Sequence, residues 1–186
     1  MDLVLGGLVL HPGLLLPTVS ELDGWKHCPR CRADLRRDEG KVECDDCGFL
    51  TYGSSKPTAS GLVLDDAGRL LLSRRAVDPF AGKWDLPGGF LDEGEHPLDC
   101  LRRELKEEAG VEIEPLSFVG VWTDVYGDRG LATLNLYWTA RIVNGEPAAA
   151  DDVDEFRWFA PEEVPRKDLA FDHLPDVVSA LRDQHA

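Results

Sequence analysis

Apolar residues recur at helical spacing at Leu98, Leu101, Leu105 and Ala109, and Gly110 closes the run. This stripe predicts a helix that opens near Gly94 and Glu95 and stops at Gly110. Val177, Val178 and Leu181 give a second apolar face over residues 175–183, predicting a last helix. Elsewhere the pattern reads as strands. Residues 59–64 and 69–74 flank Asp65-Asp66-Ala67-Gly68 and predict a hairpin. Residues 84–90 read as a short strand running into a Gly-rich turn, with Trp84 structural. Two long strands, 117–126 and 131–143, are expected around Gly127-Asp128-Arg129-Gly130. After a turn at 144–147, residues 155–159 predict a further strand, and 161–164 a short helical turn with Pro161 early in it. Strands alternating irregularly with two substantial helices imply an α/β fold, a mixed sheet with helices on both sides.

The chain has 186 residues, room for one ordinary domain plus a small module. Apolar content of 43% and charged content of 30% fit a globular protein with a real core. A formal charge of −15 argues against a partner as long as a nucleic acid, which calls for a basic face. Residues 3–19 are apolar but interrupted by Pro12 and Pro17 and lack a basic flank, so neither a membrane span nor a signal peptide is expected. Residues 1–24 are read as an apolar arm packing on the body or on a partner, and cytoplasmic residence is the default.

Four of the five cysteines fall in two pairs, Cys28-Pro29-Arg30-Cys31 and Cys44-Asp45-Asp46-Cys47, with twelve residues between. Two C-x2-C turns at this separation supply four thiolates to a tetrahedral zinc ion. Two disulfides would need an oxidising compartment, and a redox C-x-x-C comes singly. A structural zinc ribbon is therefore expected over 25–55, with the main domain at 56–186. Cys100 falls on the first helix and reads as a small buried residue.

Glu104, Glu107 and Glu108 stand at i, i+3 and i+4, so a helix puts their carboxylates on one face. Like charges so placed repel, and a helix selected for stability alone would avoid them. Hard divalent cations such as Mg²⁺ or Mn²⁺ prefer oxygen ligands and bind through a few carboxylates plus substrate phosphate. The ordinary alternative is a solvated acidic helix face. Gly89, Glu95, Arg103 and Gly110, at fixed offsets from these glutamates, weigh against it.

Residues 89–111 read G-x5-E-x7-R-E-L-x-E-E-x-G-V and resemble the Nudix box at every fixed position. The resemblance covers roughly residues 56–182 and implies an α/β/α sandwich in which a loop-helix-loop holds divalent metal against a diphosphate. Carried over by position, it implies Glu104, Glu107 and Glu108 as ligands of Mg²⁺ or Mn²⁺, with the Gly88–Gly89 backbone approaching the metal and the substrate. Glu95 would organise the loop or reach metal through water. Arg103 would orient an acidic neighbour through a fork that lysine cannot reproduce. The general base is left between Glu104 and Glu155, since relatives often place an acidic residue where Glu155 stands. Asp151, Asp152 and Asp154 crowd the same loop, and for Asp151 and Asp152 a solvated turn is the favoured reading.

The implied reaction is hydrolysis of a nucleoside diphosphate linked to a moiety X, giving a nucleoside monophosphate. No S-Q-P-W-P-F-P-x-S segment follows the box, which disfavours NADH, and Pro115 comes too early for one familiar ADP-ribose subtype. The tail Leu169-Ala170-Phe171-Asp172-His173 is similar to zinc-ribbon relatives linked to ADP-ribose or FAD, so an adenine dinucleotide is expected. Alternatives are a nucleotide-sensing module, or a nucleoside triphosphate or NADH pyrophosphatase. Trp122, Tyr126 and Phe171 could stack on a base, although core packing or turn structure is the favoured reading for each. Relatives are often dimers, to which the arm could contribute.

Overall fold

The computed structural model describes residues 4–5, 8–10, 20–127 and 130–183. Most of the expected apolar arm, and Asp128-Arg129 in the turn, lie outside the described residues. From the arm come β1 (Val4–Leu5) and β2 (Leu8–Leu10), an antiparallel pair. The ribbon follows as β3 (Arg36–Asp38), β4 (Lys41–Glu43) and β5 (Leu50–Tyr52), a small sheet of its own.

The body is built on two sheets. β6 (Lys56–Val63), β7 (Leu70–Arg75), β8 (Trp84–Asp85) and β9 (Gly88–Phe90) precede helix α1 (Pro97–Ala109). Then come β10 (Glu112–Tyr126), β11 (Leu131–Asn144), β12 (Val153–Phe159), a 3₁₀ turn at Arg166–Asp168 and helix α2 (Leu174–Asp183). The large sheet runs β1-β2-β10-β11-β6-β9, and the small one β12-β7-β8. β6 lies parallel to β11 and β10 antiparallel to it, so the large sheet is mixed.

Two expectations need correction. Residues 59–64 and 69–74 do form a closed turn, with Leu64 bridging Leu70, but they are not a hairpin. Beyond the turn, β6 joins the large sheet and β7 the small one. Both strands are buried over long continuous runs, so each needs cover on both faces, and separating them supplies it. The helical turn expected at 161–164 is a plain turn, and the 3₁₀ segment falls at Arg166–Asp168.

The helices cover opposite faces. Leu101, Leu105 and Ala109 of α1 pack with Ala59, Val63 and Leu71. Leu174, Val177, Val178 and Leu181 of α2 join Leu62, Leu72, Trp122 and Tyr137 in a second cluster. Alternate residues of β6 thus feed the two cores, as the two-residue period of a strand requires. His96 caps α1 by accepting from Leu98 N–H at 3.2 Å, and Pro97 opens it. At its other end Gly110 N–H donates to Lys106 C=O at 3.1 Å. Among the described residues no helix is long and apolar enough to cross a membrane.

The segment 84–90 positions the site. Trp84 and Asp85 pair with β7 in the small sheet, and after Leu86-Pro87 the next three residues pair with β6 in the large sheet. The chain changes sheets at Pro87 and delivers Gly88 and Gly89 to the gap between them.

Candidate metal and diphosphate site

A cavity of about 360 Å³ opens in that gap. Glu104 and Glu108 of α1, Arg103, Gly88 and Gly89 line one end, with Asp151 and Asp152 from the loop before β12. Both glycines are required by contact. A Cβ on Gly88, at φ 142, would lie 2.3 Å from the Ala59 carbonyl oxygen. One on Gly89 would lie 2.5 Å from the Glu104 carboxylate. The backbone can therefore approach the carboxylates only without side chains here.

Arg103 organises the acidic face. Its Nε and one terminal nitrogen donate to Glu95 at 2.9 and 2.8 Å, a bidentate fork. The other terminal nitrogen donates to Glu104 at 2.7 Å and Glu107 at 3.2 Å. The Phe90 carbonyl accepts, at 3.1 Å, from the terminal nitrogen that also bonds Glu95. The hydrogen bonds from Arg103, with one from the Asp92 backbone, hold the Glu95 carboxyl down at about 2. Glu95 stands before the helix, outside the cavity lining, where it anchors Arg103.

The three glutamates are not equivalent. Glu107 is half-exposed and outside the lining, Glu104 is part-buried, and Glu108 is 7% exposed. Burial, then repulsion by Asp152, Glu104 and Asp85, pushes Glu108 up to about 9, against one hydrogen bond from Gly88 N–H at 3.3 Å. Burial likewise raises Glu104 despite Arg103. A buried carboxylate facing other carboxylates, with an amide as its hydrogen-bond donor, is the donor set that a hard divalent cation satisfies. The residues present fit Mg²⁺ or Mn²⁺.

The adjoining wall was not foreseen. Thr58, Ser60, Thr133 and Asn135 are buried polar side chains on β6 and β11 that line the cavity. Asn135 accepts from Thr58 at 2.8 Å and donates to Thr133 at 3.1 Å. Arg75 pairs with buried Asp85 at 3.1 Å and donates to the Tyr126 hydroxyl at 3.2 Å. Burial keeps the Asp85 carboxyl above its usual range against the pull of Arg75. Tyr137 and His173 complete this wall. One signal was available in the sequence: Thr58 and Ser60 stand at alternate positions on a strand that is otherwise free of polar side chains after Lys56.

Of the three aromatic residues considered for stacking on a base, Tyr126 and Phe171 line the cavity. Trp122 lies in the core instead, 4% exposed and edge-on to Tyr137, because its position on β10 points it at α2. Glu155 is also elsewhere. It bonds Arg157 and faces Arg74 at 3.8 Å, outside the lining, while Asp151 and Asp152 take the place expected for it. Asp151 and Asp152 stand in a turn, the first exposed and the second half-buried, as the solvated-turn reading expects, and both border the cavity.

The four ribbon cysteines gather with all sulfurs within 4.8 Å of one another. Cys28–Cys47 and Cys31–Cys44 approach to 3.5 and 3.4 Å. A disulfide would need about 2.05 Å, whereas ligands about 2.3 Å from a tetrahedral zinc sit roughly 3.8 Å apart. The two turns are built alike: Arg32 N–H donates to Cys28 C=O and Gly48 N–H to Cys44 C=O, each at 2.9 Å. This set fits structural zinc.

The family model described as NUDIX domain matches residues 54–178. The chain belongs to the Nudix family. A curated relative, the ADP-ribose pyrophosphatase of Methanocaldococcus jannaschii, is 32% identical over 120 residues, covering 64% of this chain and 70% of that protein. The NAD-capped RNA hydrolase NudC of Pseudomonas aeruginosa is 27% identical over 179 residues, 90% of this chain. The chain spans 62% of that protein's length. Among solved structures, a NUDIX hydrolase from Nitrosomonas europaea superposes with a TM-score of 0.71 at 25% identity, covering 87% of this chain and 94% of that one. Helices on both faces of a mixed sheet are the Nudix fold expected from the box, and the four-cysteine cluster ahead of them is the one expected from the two cysteine pairs.

Proposed function

We propose that this chain is a Mg²⁺- or Mn²⁺-dependent pyrophosphohydrolase that cleaves the diphosphate of a nucleoside diphosphate-X, with ADP-ribose, FAD or a similar adenine dinucleotide as substrate. The observation that carries the reading is the convergence of Glu104, Glu108 and the Gly88–Gly89 backbone at one end of a cavity of about 360 Å³. The similarity to an ADP-ribose pyrophosphatase supports the substrate class.

Glu104 and Glu108, with Glu107 after a side-chain rotation, would hold the metal. Bound there, a divalent cation neutralises the diphosphate and lowers the pKa of a coordinated water. The protein's own part is positional. Arg103, fixed by Glu95, aims the Glu104 carboxylate; Gly88 and Gly89 leave space for phosphate oxygens. Asp152, facing Glu104 and Glu108 across the cavity, is the side chain placed to take the proton from the attacking water. Zinc in the ribbon is structural in this reading, and thiols held as ligands suit a reducing compartment such as the cytoplasm.

Incubation with Mg²⁺ and equal concentrations of ADP-ribose, FAD, NADH, diadenosine polyphosphates and nucleoside triphosphates tests the reading by chromatography. AMP formed fastest from ADP-ribose or FAD supports it. Faster turnover of triphosphates or NADH replaces the substrate, and binding of ADP-ribose without turnover replaces hydrolysis with sensing.

A further inference from the structure

The carboxylate end leaves the far wall of the cavity and its mouth unexplained. Four aromatic rings from four separate segments form a continuous belt, of which Phe90, Tyr126 and Phe171 line the cavity and Phe80 extends it outward from Phe171. Phe80 stands edge-on to Phe171 at 5.2 Å, and Phe171 lies near-parallel to Tyr126 at 6.0 Å. Tyr126 in turn meets Phe90 edge-on at 5.3 Å. Phe80 and Phe90 are exposed, and Phe80 has φ 67, a conformation that costs a non-glycine residue energy. The backbone of Phe80 closes a turn in which Lys83 N–H donates to its carbonyl at 3.0 Å, while its ring and that of Phe90 stay outside both cores. Phe90 follows Gly89 and gives its carbonyl to Arg103, so the belt begins where the acidic face ends.

The segment carrying Phe171 is tied down at several points. Ala170 N–H donates to the Trp84 carbonyl at 2.8 Å. Two residues beyond Phe171, His173 reaches both strands behind the wall: Nδ1 lies 2.5 Å from an Asp124 carboxylate oxygen on β10, and Nε2 2.6 Å from the Tyr137 hydroxyl on β11. Asp124, held ionised by this contact, accepts a hydrogen bond from Nδ1–H, which leaves Nε2 to accept from the Tyr137 hydroxyl. The imidazole thus locks the segment in one orientation.

We infer that the Phe80–Phe171–Tyr126–Phe90 belt is the stacking subsite for the nucleobase, and that His173 is a positioning residue holding Phe171 within it. The inference rests on the pyrophosphohydrolase reading for the identity of the ligand. A ring sandwiched between Tyr126 and Phe171 would need about 7 Å, two van der Waals layers, and they stand at 6.0 Å. The base therefore lies against the belt's open face rather than between its rings. Arg75, 5.8 and 5.9 Å from the Tyr126 and Phe171 ring centres, adds a cation beside it. Recognition by faces rather than by base edges favours large rings, purine or flavin, over pyrimidines.

The test is calorimetric binding of AMP, UMP and ribose 5-phosphate to the zinc-loaded full chain with Mg²⁺ present. AMP and ribose 5-phosphate differ by the base alone, and neither contains the diphosphate to be cleaved. AMP should bind about tenfold or more tightly than ribose 5-phosphate, the order of one aromatic stacking contact, with UMP between them. Phe80→Ala, at an exposed position, and Phe171→Leu should each shrink that ratio while ribose 5-phosphate affinity stays within twofold. His173→Asn should do the same, and His173→Gln should restore part of the ratio. Equal binding of AMP and ribose 5-phosphate by the wild type overturns the subsite. A ratio untouched by Phe80→Ala and Phe171→Leu places the base elsewhere, and one untouched by His173→Asn removes the positioning role. Because no turnover is read, failure of the hydrolase reading shows separately, as absent Mg²⁺-dependent AMP release from ADP-ribose.

Discussion

Arg103 and Glu95 share a planar two-bond contact, 2.9 and 2.8 Å, across the turn that opens α1. The same guanidinium then reaches Glu104. Glu95 therefore acts on the acidic face through Arg103. Arg103→Lys keeps the charge and loses the fork. We expect kcat/KM with ADP-ribose to fall about a hundredfold, the order set by misplacing a catalytic group by an ångström. Steady-state kinetics beside a melting curve checks this; unchanged kinetics would remove Arg103 from the positioning role.

Asp152 and Glu155 separate two accounts of the proton acceptor. Asp152→Asn should lower kcat by roughly 10²–10⁴, the span of general acid–base catalysis. Glu155→Gln, which disturbs only contacts with Arg74 and Arg157, should stay within twofold. The opposite ranking would restore Glu155 to the site.

Glu108 makes metal-free stability depend on pH. Its folded pKa of about 9 lies above the ordinary carboxylate value. Between the two values the folded state binds more protons than the unfolded one, so stability falls as pH rises from about 5 to about 9. Zinc-loaded protein freed of Mg²⁺ should melt lower at pH 8 than at pH 6. Each kcal/mol corresponds to roughly 2–4 °C for a chain of this size. Glu108→Gln should flatten that slope and abolish turnover, and Mg²⁺ should raise the wild-type melting temperature at pH 8. A slope identical in the variant would assign the effect to other groups.

Removing zinc should loosen the ribbon and spare the carboxylates. Chelation followed by excess Mg²⁺ is expected to release one zinc per chain and lower the melting temperature. Cys31→Ser should reproduce both effects. Loss of chemistry with no change in melting would put a transition metal in the acidic site instead.

The box helix, its stop at Gly110 and the cysteine ribbon were legible because each is local: residues a few positions apart fix their own spacing, although the cap, His96, was not foreseen. Legibility ended where the partner was distant. Nothing near Leu62 or Leu71 tells that β6 and β7 separate into different sheets, because both are simply buried. Trp122 and Tyr126 stand four apart on one strand, yet one enters the core and the other the cavity. Pairing is regular from Gly120 to Tyr126, so the two share a face of the sheet. It is the extent of the cluster around α2, which takes in Trp122 but not Tyr126, that separates them. His173 meets Asp124 and Tyr137 across 49 and 36 residues. No short-range pattern announces such a contact.

The change of sheets at Pro87 links two ends of the molecule mechanically. Pro87 C=O is held by Gly61 N–H at 2.9 Å, and Gly88 N–H is held by Glu108. Trp84, three residues earlier, carries the segment that bears Phe171. A tilt of the small sheet that widens the cavity mouth must pull on this short lever. The first atoms to feel it are the Gly88 amide and the Glu108 oxygen. The belt and the deepest carboxylate are thus joined through one short run of backbone, residues 84–88.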